Sequence, residues 1–294
     1  MNLHAAWFDD FSDGDAAGWQ TGPGNFSVVN QNYVLSGIDA VNIDEAIFAF
    51  FPEVFGSTTS VRGQMLIEGT NPNGDIGIIA RLDPQNGNAY VLTQDVSGDW
   101  VISVFEFFAS ADELQPDPSN ILPNATSDVM LQIDISGVDS ATQLDLWVWD
   151  PAVPMPSTPT FSVTDTLNSG INGGFAGIAY AEDANDGEGV FCYVMASATN
   201  FVESADFDSS GIVAGPDFLT WQRGFGGAGL LATGDASLDR QVGTVDRLIW
   251  ESQFGGAPPS PSLGLAATVP EPSSLALLAL SALSVGLTVR GRRW

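Results

Sequence analysis

A chain of 294 residues with 36 acidic and eight basic side chains carries a formal net charge of −28, and every basic residue is an arginine. Such a charge repels nucleic-acid phosphate and releases no counterions from it, which excludes a nucleic-acid partner; an anionic membrane surface is excluded likewise, except near the last few residues. With 44% hydrophobic and 15% charged residues, 32 Gly and 17 Pro, the composition suits a turn-rich β protein with a large core.

Charge and composition divide the chain into residues 1–204, with 28 acids and two arginines, residues 205–256, a Pro/Ser-rich linker at 257–268, and a positively charged tail at 269–294. In the first segment the strand candidates are Phe26–Leu35, Ser60–Ile67, Gly77–Leu82, Ala89–Gln94, Trp100–Phe108, Val129–Ile135, Leu144–Trp149, Phe175–Ala181 and Val190–Ala196. Val129-Met130-Leu131-Gln132-Ile133-Asp134-Ile135 alternates as a half-buried antiparallel strand does, with Gln132 and Asp134 facing out. Leu144, Leu146 and Val148 repeat the pattern and put Trp147 and Trp149 on the opposite face. Either a second sheet covers these two indoles or they form a stacking platform for sugar rings. Cys192, the single cysteine, reads as a buried strand thiol.

The order of features resembles the laminin-G-like or concanavalin-A-like jelly-roll sandwich of exported bacterial proteins. It begins Phe8-Asp9-Asp10-Phe11-Ser12-Asp13-Gly14 and Gly18-Trp19, continues with Tyr33-Val34-Leu35, and closes with Gly177-Ile178-Ala179-Tyr180, an acidic loop and a last strand. That fold hosts lectins, hydrolases and adhesion modules alike. A retaining sugar hydrolase on it would need carboxyls roughly 5 Å apart, as a Glu-x-Asp-x-Glu strand supplies, and the sequence has no such strand. The run Glu182 to Gly189 reads as a loop, in which Asp183, Asp186 and Glu188 are candidates for a second calcium or ligand site. The sole histidine, His4, lies at the chain start, so triads and histidine-based zinc sites are excluded. No catalytic residue is assigned.

Residues 205–256 repeat with a period of 29: Asp206 matches Asp235, Asp217 matches Asp246, Trp221 matches Trp250, Phe225 matches Phe254 and Gly226 matches Gly255. Each copy spaces its oxygen donors as a 12-residue calcium loop does. The first loop offers Asp206, Asp208, Ser210, the Ile212 carbonyl and Asp217; the second offers Asp235, Ser237, Asp239, the Gln241 carbonyl and Asp246. Gly211 holds the sharp-turn position in the first loop and Arg240 in the second, which makes the second the poorer copy. Aromatic residues at helical spacing follow each loop, so each copy carries one helix. The duplication resembles the dockerin type I module, which implies two bound Ca²⁺ ions and a cohesin-like protein partner. The alternatives are a calcium-rigidified spacer without a partner and a segment that binds no calcium at all.

The tail reads Val269-Pro270-Glu271-Pro272-Ser273-Ser274, an apolar run from Leu275 to Val289, then Arg290-Gly291-Arg292-Arg293-Trp294. The 15 residues of this run as a helix span roughly 22 Å, short of the roughly 30 Å bilayer core, and the snorkelling Arg290, Arg292 and Arg293 help cover the deficit. The arginine cluster places that end in the cytoplasm. Pro270, Glu271 and Pro272 with this span and cluster resemble the PEP-CTERM sorting signal, which implies cutting by an exosortase-type enzyme and transient anchoring in the inner membrane. The start, Met-Asn-Leu-His-Ala-Ala-Trp, lacks a leader's basic and apolar regions, so a secretory leader is expected upstream.

The sequence thus predicts a mainly β protein: an antiparallel jelly-roll β-sandwich, a small α-helical duplicated calcium-loop module and a C-terminal hydrophobic helix. The expectation is an exported, non-catalytic envelope or matrix protein that contacts extracellular polysaccharide. The rivals are a secreted carbohydrate hydrolase or lyase and a structural biofilm component without a specific ligand.

Overall fold

Alternating apolar and polar side chains build two antiparallel sheets. In the computed structural model the strands are, in chain order, β1 (Trp7–Asp9), β2 (Gln20–Thr21), β3 (Asn25–Val29), β4 (Asn32–Ser36), β5 (Ala46–Phe50), β6 (Thr58–Leu66), β7 (Gly74–Leu82) and β8 (Ala89–Gln94). They continue with β9 (Trp100–Glu106), β10 (Ser110–Glu113), β11 (Val129–Ser136), β12 (Gln143–Trp149), β13 (Phe161–Thr164), β14 (Phe175–Glu182) and β15 (Glu188–Ser197). The larger sheet runs β13-β12-β11-β6-β15-β4-β3, with β1 also on β15; the smaller runs β10-β9-β8-β7-β14-β5-β2. The structure describes residues 7–22, 24–36, 46–66, 74–94, 100–106, 110–113, 128–167, 170–182, 188–229 and 231–259. All belong to the compact unit Met1–Ser262; the other unit, Leu263–Trp294, lies outside the described residues, as does His4.

The inner faces meet in one core. Val61, Met65, Leu131, Ile133, Leu144 and Leu146 of the larger sheet and Ile76, Ile78, Tyr90, Leu92 and Ile178 of the smaller are all buried in it. Each such side chain contributes roughly 1.5–3 kcal/mol of burial free energy. Close strand approach needs glycine at two points: a Cβ on Gly77 would lie 1.8 Å from the Leu92 carbonyl oxygen, and one on Gly177 would lie 2.0 Å from that of Ala49.

Where the structure departs from the sequence reading, local chemistry explains it. Phe26–Leu35 is not one strand but the hairpin β3–β4, turned at Asn30 and Gln31, whose φ values of 51° and 65° suit the two-residue turn that matches strand twist. Cys192 sits at the bulge between Phe191 and Tyr193 in β15, half-buried rather than in a regular ladder position, and burial pushes its thiol up to about 12. Arg81 is fully buried with φ 55°, and its guanidinium donates to the carbonyls of Ile171, Ser57 and Gly137, tying three loops together.

The larger departure is on the outer face of the larger sheet. Gln132 and Asp134 do point away from the sandwich core, but they are 0% and 6% exposed. Cross-strand register lines up Trp147, Gln132, Arg62 and Met195 in one row across β12, β11, β6 and β15. Met130, Tyr193, Met195 and Phe201 pack there with Trp147 and Trp149 into a second apolar layer. What covers this face is not a further sheet: Met155 and Phe201 from connecting segments and Leu238 of the second acidic loop pack onto it. Trp147 and Trp149 are 9% and 3% exposed, and the Trp147 indole N–H donates to the Pro156 carbonyl at 3.1 Å. Both rings are buried, so they do not form an open sugar-stacking platform.

Candidate metal centre

Each acidic loop is folded by its own carboxylates. In the first, Asp206 accepts the N–H groups of Ser210 and Gly211 at 2.9 and 2.8 Å. Asp217 accepts those of Phe207 and Ala214 at 2.8 and 2.7 Å. In the second, Asp235 accepts from Asp239 and Arg240, and Asp246 from Ala236 and Gly243, at the same positions 29 residues on. Positive φ recurs in step as well: Ser209 and Leu238 at 58° and 62°, Gly211 and Arg240 at 85° and 68°. Arg240 thus adopts the left-handed turn that glycine takes cheaply. Its side chain is engaged by the sandwich: it pairs with Asp10 at 2.8 Å and lies 4.1 Å from the Phe8 ring centroid.

The last acid of each loop opens a helix. Helix α1 (Gly215–Gly224) has Pro216 in its first turn, where no backbone donor is lost, and Asp217 at the third position; α2 (Thr244–Gln253) has Asp246 there. Carboxylates at this end complement the helix dipole.

The two copies then interlock reciprocally. Trp221 of α1 donates its indole N–H to the Gly243 carbonyl at 2.8 Å, and Trp250 of α2 donates to the Ala214 carbonyl at 3.0 Å. Val213 N–H donates to Gly256 and Val242 N–H to Gly227, at 2.9 and 3.0 Å. All four pairs map onto one another by the 29-residue offset, so the copies are related by a local twofold. Phe218 and Trp250 close the helix interface with ring centroids 4.8 Å apart.

This scaffold brings Asp206, Asp208 and Asp217 together, and separately Asp235, Asp239 and Asp246; in each set one oxygen per residue lies within 4.8 Å of the others. One hard cation at about 2.4 Å from each oxygen fits that spacing. Ser210 Oγ reaches the Ile212 carbonyl at 3.1 Å and Asp206 at 3.4 Å, and Ser237 Oγ reaches Asp235 at 3.4 Å, so these further donors converge on their triads. Gln241 donates its N–H to Asp239 at 2.8 Å.

The sites differ in setting. Asp208 is exposed, and hydrogen bonds from Ser210 hold its carboxyl below the usual range. The second triad is buried against the sandwich, where burial and then the Asp239 and Asp246 charges push Asp235 up to about 7. A divalent cation held among three such carboxylates would offset their repulsion, and its binding would then be coupled to folding.

Sequence reasoning missed the residue that joins the second loop to the sandwich. Arg62 on β6 is 0% exposed; its Nε donates to Gln132 Oε1 at 2.7 Å and its Nη1 to the Ser237 carbonyl at 2.8 Å. Trp149 and Phe201 flank the guanidinium at 5.3 and 5.7 Å. Beside it, burial raises Asp134 to about 6, against hydrogen bonds from Ser60 and Gln132, and raises Glu203 to about 7. The one advance signal was an arginine amid β-strand pattern in a chain with eight cations.

Of the other candidates, Glu188 is exposed at the start of β15, while Asp183 and Asp186 lie outside the described residues. Pro270, Glu271 and Pro272, the Leu275–Val289 run, Arg290, Arg292 and Arg293 also lie outside them. Among the described residues no helix is long and apolar enough to cross a membrane.

Residues 268–293 match the model of the PEP-CTERM protein-sorting motif. No curated protein matches the chain. Solved structures similar to it include the carbohydrate-binding module CBM66 from Bacillus subtilis, at 14% identity and TM-score 0.41, covering 62% of this chain and 94% of that one. A β-1,3-glucanase from Mycobacterium marinum is 10% identical at TM-score 0.47, covering 67% and 100%. The cellulose-induced protein Cip1 is 15% identical at TM-score 0.42, covering 66% and 98%. The sorting motif supports an exported protein associated with the cell envelope.

Proposed function

We propose that this is an exported, non-catalytic envelope protein whose β-sandwich binds extracellular carbohydrate and whose paired acidic loops hold two Ca²⁺ ions, in the manner of a dockerin-type module. The observation that carries the metal reading is the pair of carboxylate triads on twofold-related scaffolds. Ca²⁺ suits all-oxygen donor sets better than softer metals do. Asp206, Asp208, Ser210, Ile212 and Asp217 hold the first ion, and Asp235, Ser237, Asp239, Gln241 and Asp246 the second. Ala214 and Gly243 offer no side-chain oxygen at the ninth loop position, so water completes each shell. An exosortase-type enzyme removes the tail near Pro270–Pro272, after Leu275–Val289 has served as a temporary inner-membrane anchor. A cohesin-like protein is the partner that the duplicated module suggests.

Calcium titration of the chelated full chain, followed by calorimetry and tryptophan fluorescence, tests the metal reading. Two sites are expected, with a fluorescence change from Trp221 and Trp250 at the helix interface. A chain that takes up no calcium and melts identically in chelator and in calcium would end it.

A further inference from the structure

Where the second acidic loop overhangs the outer face of the larger sheet it leaves a groove of about 540 Å³. One wall is the β3–β4 hairpin and neighbouring strands, with Asn30, Gln31, Asn32 and Gln64; the other is the loop itself, with Asp239 and Gln241. Five of these six side chains are amides. An amide presents a donor and an acceptor in one plane, which matches the paired hydroxyls of a vicinal diol.

The charge of the groove narrows the ligand further. Among the described residues, Asp10, Asp128 and Asp239 line it against one cation, Arg240, and that guanidinium is already engaged by Asp10 at 2.8 Å and by the Phe8 ring. A uronate or sulfated polymer meets net negative charge there; a neutral one meets hydrogen-bonding groups. The volume lies within the range of small-ligand sites and takes about two sugar rings.

We infer that this groove is a binding site for a neutral carbohydrate, shared between the sandwich and the second acidic loop. This places the ligand of the proposed function and rests on that reading. Asp239 belongs to both the groove and the second carboxylate triad. A cation drawn into the triad fixes that wall, so binding strengthens with calcium. By linkage, the sugar tightens the second ion to the same degree.

The test uses the full chain in affinity electrophoresis and calorimetry against a soluble β-1,3-glucan, a xylan and a mannan, with alginate as the anionic control, each in calcium and in chelator. Expected is binding to at least one neutral polymer and none to alginate, weaker in chelator. The double variant Asn32→Ala/Gln64→Ala should weaken binding about tenfold or more, with melting temperature unchanged. Ala228→Trp, at an exposed position on the groove wall, should block it by bulk should the double variant misfold. Binding retained within twofold by a folded groove variant overturns the site while leaving carbohydrate binding in place. Absence of binding to all three neutral polymers overturns both. Binding that is equal in calcium and chelator removes the role of Asp239.

Discussion

Arg62→Met removes the charge that bridges sandwich and second acidic loop while keeping most of the apolar stem. A weak hydrogen bond to Met155 Sδ disappears, and so do two charge-assisted ones to oxygen, at Gln132 Oε1 and the Ser237 carbonyl. Each of those two contributes about 1.5–3 kcal/mol, and both acceptors are left buried. Against this stands the relieved desolvation of a guanidinium that has no carboxylate within 4.0 Å among the described residues. The balance is a loss of about 3 kcal/mol, which for a unit of this size lowers the melting temperature by roughly 6–12 °C. The variant also bears on the metal reading, because Ser237 is the third residue of the second loop: loosening its backbone should weaken one of two calcium sites about tenfold and leave the other alone. Calorimetric calcium titration and urea melts of the full chain read both effects. Equal weakening of both sites, or stability within 0.5 kcal/mol of the parent, would refute the bridge.

Acidity supplies a second expectation. Asp134 and Glu203 have folded-state values raised to about 6 and about 7, chiefly by burial, so their contribution is fully present below their unfolded values and fades as pH climbs through 6 to 7. In chelator the urea midpoint should therefore fall between pH 4.5 and 7.5, and Glu203→Gln should flatten that slope; an unchanged slope contradicts the assignment. Asp206→Asn and Asp235→Asn should each reduce the calcium stoichiometry from two to one. Only Asp235→Asn should raise the stability of the chelated form, since it removes a charge crowded by burial and two like neighbours. Gly77→Ala, which forces a methyl onto the Leu92 carbonyl, should destabilise by about 3 kcal/mol and leave calcium stoichiometry untouched, as differential scanning calorimetry and titration would show.

The readable parts of this fold were those encoded by short-range periodicity. Val129–Ser136 and Gln143–Trp149 alternate plainly, and the 29-residue repeat announces itself in matched Asp, Trp and Phe-Gly positions. The hairpin turn at Asn30-Gln31 escaped notice because it lacks the Asn-Gly signature, although asparagine takes left-handed backbone readily. Phe161–Thr164 is four residues long after a Pro-rich stretch, too short to show a period. The covered outer face was illegible for a deeper reason. Gln132 and Asp134 alternate like solvent-facing residues, and much of what buries them, Met155, Phe201 and Leu238, lies in connecting segments and the second acidic loop, where no local pattern points back to β11. Arg62 has the same problem: its main partners are 70 and 175 residues away.

The crossed indole hydrogen bonds make the duplicated segment indivisible. Cutting it into halves would strip each tryptophan of its acceptor and each loop exit of its donor at once, so neither half is a smaller version of the whole. A truncation series should therefore jump from folded to unfolded with no single-repeat species between, and any engineered fusion that borrows this element has to take both repeats together.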